Sequence, residues 1–341
     1  MEEPQPMILA GDIGGTSTRL AYFDVVNGRL SVLAEHIYRS HEYRSLEAAV
    51  AEFIAEQKKK VQVACFGIAG PVHNRTVSTP NLPWKIDATA LERELGIARV
   101  FLLNDLEASA YGLAELEAKD YAVLSPGSGG PVGNRVVIAA GTGLGEAGLY
   151  WDGKSHHPFA SEGGHVDFAP VNDLQIELLQ FLRKKFSGRV SVERVLSGPG
   201  LFNIYEFLRD SGKAKEEPWL KEQLQQAKDP SAVISQNGMS GKSPLCDQVL
   251  KVFTEIYGSE AGNLALKMMA TGGVYIGGGI APKILQRLQR PEFMHEFTDK
   301  GRLSPLLKQT PVRVVLNDKV GLLGAAHVAV SHSQTRMEVL A

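Results

Sequence analysis

Along the chain, short apolar runs alternate with segments whose apolar residues recur every three or four positions. The runs include Ile8-Leu9-Ala10, Val61 to Ile68 (interrupted at Gln62 and Gly67), Val100 to Leu103, Val136 to Ala140, Val274-Tyr275-Ile276 and Val312 to Leu316 (interrupted at Arg313). Their length and β-branched content predict buried strands. The periodic segments predict helices over Leu46 to Gln57, from Leu106 through Ala110 and Leu113, and over the alanine-rich stretch Val320 to Val330. Leu91 to Leu95, closed by Gly96, predicts a shorter helix, and Pro282 is placed to start one that carries Ile284, Leu285 and Leu288. Thr79-Pro80-Asn81-Leu82-Pro83-Trp84 predicts a turn-rich connection, and Ser125 to Pro131 predicts a loop. Strands alternating with helices argue for an α/β fold.

Three of these strands run into glycine. From Ile8 to Asp24, apolar residues lead into Gly11 and Asp12, the chain turns through Gly14-Gly15-Thr16, and apolar residues resume at Leu20. That is strand, turn, strand: a hairpin rather than a strand-to-helix loop. Glycines at the turn let backbone N–H groups approach a ligand, and concave runs of amides suit phosphate. An ordinary Gly-Gly hairpin has the same signature. Asp12 at the strand end offers a carboxylate to magnesium, directly or through water. Val136 to Asp152 repeats the plan around Gly141-Thr142-Gly143, and Tyr150-Trp151-Asp152 matches Tyr22-Phe23-Asp24 at an offset of 150 − 22 = 128 residues. A third cluster, Gly277-Gly278-Gly279, ends another strand, where close packing of strand on helix would also call for glycine.

Two further glycine patterns lead nowhere. Gly143-x-Gly145-x-x-Gly148 matches the dinucleotide fingerprint, but Leu149-Tyr150-Trp151 reads as strand where the fingerprint must open a helix. Gly241-Lys242-Ser243 resembles the end of a phosphate-binding loop, yet Gln236 stands where its first glycine belongs.

With 341 residues, the chain has room for one large or two medium domains. A hydrophobic fraction of 44% and a net charge of −2 describe a soluble protein with no call for nucleic acid or an anionic membrane. Lys58-Lys59-Lys60 follows a predicted helix, where cations favour the dipole. Cys65 and Cys246 have no metal spacing and fit a reducing compartment. Met1 to Pro4 does not open a signal peptide, and no apolar run approaches membrane length, so a cytoplasmic protein is expected. About six residues precede the first strand, too few for a helix-turn-helix module.

The order of the motifs is more specific than any one of them. Gly11-Asp12-Ile13-Gly14-Gly15-Thr16, Leu103-Asn104-Asp105, Gly141-Thr142-Gly143-Leu144-Gly145, Ser161-Glu162-Gly163-Gly164-His165, Ser191 to Gly200 and Gly277-Gly278-Gly279-Ile280 span nearly the whole chain. Together they resemble the sugar kinases of the actin-like ATPase superfamily, and within it the bacterial glucokinases. No cysteine stands beside His165, so the resemblance is to the zinc-free branch, and no zinc is expected.

The resemblance implies two α/β, ribonuclease H-like domains with a cleft between them, each on a five-stranded mixed sheet. The smaller would comprise residues 1–113 plus 318–341 and the larger 114–317. It implies an ATP-dependent, magnesium-requiring phosphorylation of glucose at its 6-hydroxyl, feeding glycolysis, by a homodimer. Gly11, Asp12, Ile13, Gly14, Gly15, Thr16, Gly141, Thr142 and Gly143 would bind the cofactor, with Gly14-Gly15-Thr16 and Thr142-Gly143 holding the phosphates. Gly277, Gly278 and Gly279 would lie near the adenosine, and Asp12 would position magnesium through water. Asn81, Asn104, Asp105, Glu162, His165 and Glu193 would hold glucose, with Asp105 as general base.

These residue types suit the chemistry. Phosphoryl transfer relies on positioning, charge neutralisation and a base for the attacking hydroxyl. Asp105 sits between a strand and a helix start, where the dipole favours its ionised form, although an Asp there is also a common helix cap. Glu162, His165 and Glu193 supply the donors and acceptors a polyol needs. Taken singly, His165 could equally be a core histidine and Glu193 an exposed first-turn carboxylate.

Overall fold

In the computed structural model the opening hairpin forms as expected: β1 (Ile8–Ile13) pairs antiparallel with β2 (Ser17–Val26), and Ile13 faces Thr18. The structure describes residues 7–58, 60–79, 81–128 and 132–340, with side chains as far as 333. Met1 to Pro6, Lys59, Pro80 and Gly129 to Pro131, parts of segments read above, lie outside the described residues. The chain divides into two compact units, residues 1–118 with 317–341, and residues 119–316.

The first unit contains β3 (Arg29–Arg39), α1 (Leu46–Gln57), β4 (Val63–Ile68), β5 (Thr76–Ser78), β6 (Lys85–Asp87), α2 (Ala88–Leu95), β7 (Arg99–Asn104) and α3 (Asp105–Gly112). Its main sheet has five strands in the order β3-β2-β1-β4-β7, with β1, β4 and β7 parallel. Both faces are apolar because both are covered. Leu9, Tyr22 and Phe66 pack under α1 and α2. Ile8, Ala10, Phe23 and Cys65 pack under α3 and the last helix, Val320–Leu340. The 79–84 segment links β5 to β6 in a small antiparallel ribbon.

The last helix crosses α3 almost backbone to backbone. A Cβ on Gly324 would stand 1.7 Å from the carbonyl oxygen of Ala108, and one on Gly112 would stand 1.9 Å from that of Val320. Gly324→Ala is therefore expected to destabilise the protein by about 1–3 kcal/mol, because two backbones would have to separate. Denaturant unfolding measures it, and an unchanged midpoint would mean that the helices cross further apart than described.

The second unit departs from expectation in its sheet, which has six strands rather than five. The order is β11-β10-β9-β12-β13-β8, formed by β8 (Tyr121–Ser125), β9 (Arg135–Ala140), β10 (Leu144–Trp151), β11 (His156–Ser161), β12 (Gly273–Gly277) and β13 (Val312–Val315). The added strand is β8, a short, half-exposed edge antiparallel to β13. The second glycine hairpin is β9–β10, antiparallel, with no helix at Gly148, so the dinucleotide fingerprint is absent here.

Five helices follow: α4 (Asp173–Lys185), α5 (Gly198–Asp210), α6 (Pro218–Gln226), α7 (Pro230–Met239) and α8 (Pro244–Lys267). The longest, α8, lies in the core against β9, whose Ala140 N–H donates to the Tyr257 hydroxyl at 3.2 Å. Its cap is Ser243, so Gly241-Lys242-Ser243 is a helix-to-helix turn rather than a phosphate loop. The helix expected from Pro282 is shorter than the spacing suggested. A 3₁₀ turn (Ala281–Ile284) is followed by one α-turn (Leu285–Leu288). Among the described residues no helix is long and apolar enough to cross a membrane.

Candidate active site

In the first unit, the candidates gather at the carboxyl ends of the parallel strands. Ile13, Ile68 and Asn104 are register partners across β1, β4 and β7. Asp12, the Gly14-Gly15 turn and Asp105 therefore leave one edge of the sheet, spread over about two inter-strand spacings, roughly 10 Å. In open α/β sheets that edge is where ligands bind.

The turn is held from outside. Gly14 N–H donates to Ser17 O at 2.9 Å, Ser40 Oγ donates to Gly14 O at 2.8 Å, and Ser40 N–H donates to Thr16 O at 3.1 Å. Asn81 leans on the turn so closely that a Cβ on Gly15 would stand 2.7 Å from its own Cβ. Gly15 is required for that approach. The sugar candidate Asn81 and the candidate phosphate turn are thus neighbours.

Asp12 is cross-strand partner to Arg19, whose guanidinium also meets Asp318 at 2.9 Å and Glu35 at 3.7 Å. Burial pushes the Asp12 carboxyl above the usual carboxylate range; Arg19 opposes the shift and Asp318 adds to it. A carboxylate so placed gains from a nearby cation. Among the described residues, no three His, Cys, Asp or Glu side chains gather as a metal-binding group. The donor set fits magnesium carried in on phosphates and completed by water, the usual habit of that ion.

Asp105 is the first residue of α3, and the cap is Asn104. The Asn104 Oδ1 accepts from Leu106 N–H at 2.9 Å and Glu107 N–H at 3.4 Å, while its Nδ2 donates to Gly70 O at 3.2 Å. The capping alternative for Asp105 therefore falls to its neighbour. Asn104 in turn spends most of its hydrogen-bonding capacity on the backbone. The half-buried Asp105 carboxylate accepts from Leu106 N–H at 2.9 Å.

In the second unit, the turn Gly141-Thr142-Gly143 closes with Gly141 N–H donating to Gly143 O at 2.8 Å. The N-terminus of α5, capped by Ser197, meets it: Gly198 N–H donates to Gly141 O at 2.8 Å. Gly277 pairs with Ala139 on the next strand, so the third glycine cluster flanks the same turn. Gly278 has φ +81°, and a Cβ there would stand 2.3 Å from Ala140 O, so glycine is needed twice over. Glu193 joins this group, with Oε2 accepting from Leu144 N–H at 3.0 Å.

Glu162 and His165 flank Gly163-Gly164 in a tight turn after β11. His165 N–H donates to Glu162 O at 3.0 Å, and Val166 N–H donates to Gly163 O at 3.1 Å. Both side chains are exposed, with His165 Nε2 3.9 Å from Glu162 Oε2, so His165 is not a core histidine. Val192 N–H donates to Val166 O at 2.9 Å, which ties the turn to the segment carrying Glu193. Asn81, Asn104 and Asp105 thus belong to the first unit, and Glu162, His165 and Glu193 to the second. The sequence reading missed Glu146, a buried carboxyl in β10 beneath Gly163. Its signal was a lone charge in the apolar run from Leu144 to Trp151.

This arrangement is that of a class, the α/β sugar kinases. The crystal structure of a glucokinase from an Antarctic psychrotroph matches with a TM-score of 0.83 at 32% identity, covering 95% of this chain and 99% of that one. A ROK-family glucokinase from Streptomyces griseus, crystallised with glucose and AMPPNP, shares the fold with a TM-score of 0.66 at 21% identity, covering 95% and 99%. The curated glucokinase of Nostoc punctiforme is 42% identical over 333 residues, 94% of this chain and 98% of its own. The glucokinase family model matches residues 9–332, and the chain belongs to the glucokinase family, kinases that phosphorylate glucose with ATP.

Proposed function

We propose that this chain carries out that reaction with Asp105 as general base, on glucose held by Asn81, Asn104, Asp105, Glu162, His165 and Glu193. The observation that carries the reading is the division of labour at α3. Asn104 caps the helix with bonds to two amides, and Asp105, the first helical residue, stands at the sheet edge that also bears Asp12 and the Gly14-Gly15 turn.

In the reaction, the 6-hydroxyl of glucose gives its proton to an Asp105 carboxylate oxygen as it attacks the γ-phosphorus of ATP. The bond from that phosphorus to the bridging oxygen breaks, and ADP leaves. The Gly14-Gly15-Thr16 and Thr142-Gly143 turns face the phosphates, and Gly277-Gly278-Gly279 leaves room for the adenosine. Asp12 would hold magnesium through water, and the ion supplies charge neutralisation on the phosphate oxygens. AMPPNP and glucose in the Streptomyces griseus enzyme support both substrates.

The two buried thiols, Cys65 and Cys246, suit a reducing cytoplasm, where the product, glucose 6-phosphate, feeds glycolysis. The family resemblance extends to a homodimer, which light scattering checks. The direct test is an assay coupling ADP or glucose 6-phosphate formation to a reporter, with glucose and magnesium-ATP. No turnover under those conditions would overturn the reading.

Sugar choice is a second test. If Glu162 and His165 grip ring hydroxyls, an epimer or ketose leaves polar groups of the site without their partners. Glucose is expected to exceed mannose and fructose by at least ~10-fold in kcat/KM. Equal efficiencies on all three would remove Glu162 and His165 from the sugar site.

A further inference from the structure

Beneath the turn that carries Glu162 and His165 lies a carboxyl that the proposed mechanism does not use. Glu146, 1% exposed, stands in β10 between Ile138 of β9 and Ser161 of β11. Its Oε1 is buried with no hydrogen-bond partner. The turn is pressed onto it: a Cβ on Gly163 would stand 2.0 Å from Glu146 Oε2 and 2.7 Å from its carboxyl carbon. Gly164 is equally close, its Cβ position lying 2.0 Å from Leu144 O. The Gly163-Gly164 pair is therefore what lets the backbone of the turn sit on Glu146.

The charges around Glu146 do not welcome a second anion. On α8, Glu260 is itself buried and disfavours ionisation of Glu146, while Lys267 favours it. Lys267 is already engaged with Glu260, its Nζ lying 3.4 Å from Oε1, and Asn263 Nδ2 donates to the other oxygen of Glu260 at 3.0 Å. Tyr257, also on α8, is made harder to ionise chiefly by its own burial, with Glu146 adding to the effect. Beyond Glu260, Lys300 donates to Ser259 Oγ at 3.2 Å and feels the Glu260 charge. On the turn itself stand Glu162 and His165, both exposed.

We propose that Glu146 is a positioning residue for the glucose-binding turn: its neutral carboxyl seats Gly163, and its ionisation loosens the turn and weakens the hold on glucose. The inference rests on the sugar reading of Glu162 and His165 given above. An unpartnered carboxylate is costly in so dry a place, and it gains most if water reaches it. Strands close two sides and α8 a third, so the double-glycine turn is the cover that yields. Burial and Glu260 raise the carboxyl to about 7, so the change of state falls near neutral pH. Linkage is reciprocal: if protonation favours glucose, glucose binding must draw a proton onto Glu146.

Calorimetric titration of glucose into the full chain from pH 6 to pH 8 tests this, run in two buffers of different ionisation enthalpy. The wild-type protein is expected to lose about fivefold or more in affinity over that range and to take up protons on binding near pH 7. Glu146→Gln keeps the shape without the titration, and should bind glucose with little pH dependence and no uptake. A second variant, Glu260→Gln, should leave the effect in place and move its midpoint to lower pH. Wild-type pH dependence in Glu146→Gln, or an unmoved midpoint in Glu260→Gln, would overturn the proposal. Absence of glucose binding in the wild-type protein at every pH would instead overturn the sugar reading on which it rests.

Discussion

Asp105→Asn is expected to lower kcat at least ~10²-fold while leaving the protein folded and able to bind glucose. The substitution keeps size and hydrogen-bonding capacity, but an amide cannot take the proton of the attacking hydroxyl. General-base catalysis is typically worth ~10²–10⁴-fold, or roughly 3–5.5 kcal/mol of barrier. The structure sharpens this test, because Asn104 caps the helix with bonds to Leu106 N–H and Glu107 N–H, and an asparagine at 105 still offers an oxygen to Leu106 N–H as Asp105 does. The thermal midpoint should therefore barely move, and calorimetry should still detect the sugar. Near-wild-type turnover would leave this site without a base and require another carboxylate to take the role.

The second large effect concerns stability against pH. Glu146 has its carboxyl raised to about 7 from an ordinary 4.5, chiefly by burial. The folded protein thus holds a proton there that the unfolded chain gives up at lower pH. The stabilisation is fully present below the unfolded value and is lost as pH rises through the folded one. Two to three pH units of this kind correspond to about 3 kcal/mol. Wild-type stability should therefore fall by about that much, relative to Glu146→Gln, between roughly pH 4.5 and pH 7, and stay level above. The raised carboxyl of Asp12 acts in the same direction in both proteins and cancels in the comparison. Denaturant melts at several pH values measure the difference. Parallel stability curves for the two proteins would mean that Glu146 titrates as an ordinary glutamate.

What was legible in the sequence was local. Helix α1 ends where its periodicity ends, at Gln57, and both glycine hairpins could be read because strand, turn and strand are contiguous. Edge strands were harder. The five residues of β8 alternate weakly between a 3₁₀ turn and Pro126, and β11 carries Pro158, tolerable on an edge where one side of the ladder is unpaired. Their pairing partners, β13 and β10, supply what their own sequences do not. The reading of Asn104-Asp105 was right about the strand end and the helix start. It left open which residue caps the helix, because that depends on which side chain turns back to the amides. Glu146 escaped for a related reason: nothing adjacent in sequence says that Gly163 will lie on top of it.

The return of Val320–Leu340 to the first unit sets an order of assembly during synthesis. Residues 119–316 form their unit from one continuous stretch and can complete it while the chain is still being made. The first unit cannot, although most of it is synthesised earlier. Ile8, Ala10, Ala21, Phe23, Val63 and Cys65 have Ala108 of α3 early but must wait for Leu322, Ala325, Ala326 and Ala329 to complete their cover. At about 5–20 residues per second, that face of the sheet stays open for roughly ten seconds to a minute after β4 is made. A nascent chain stalled before residue 320 would expose an apolar sheet face while its second unit is complete, the kind of surface that makes a folding intermediate prone to aggregate.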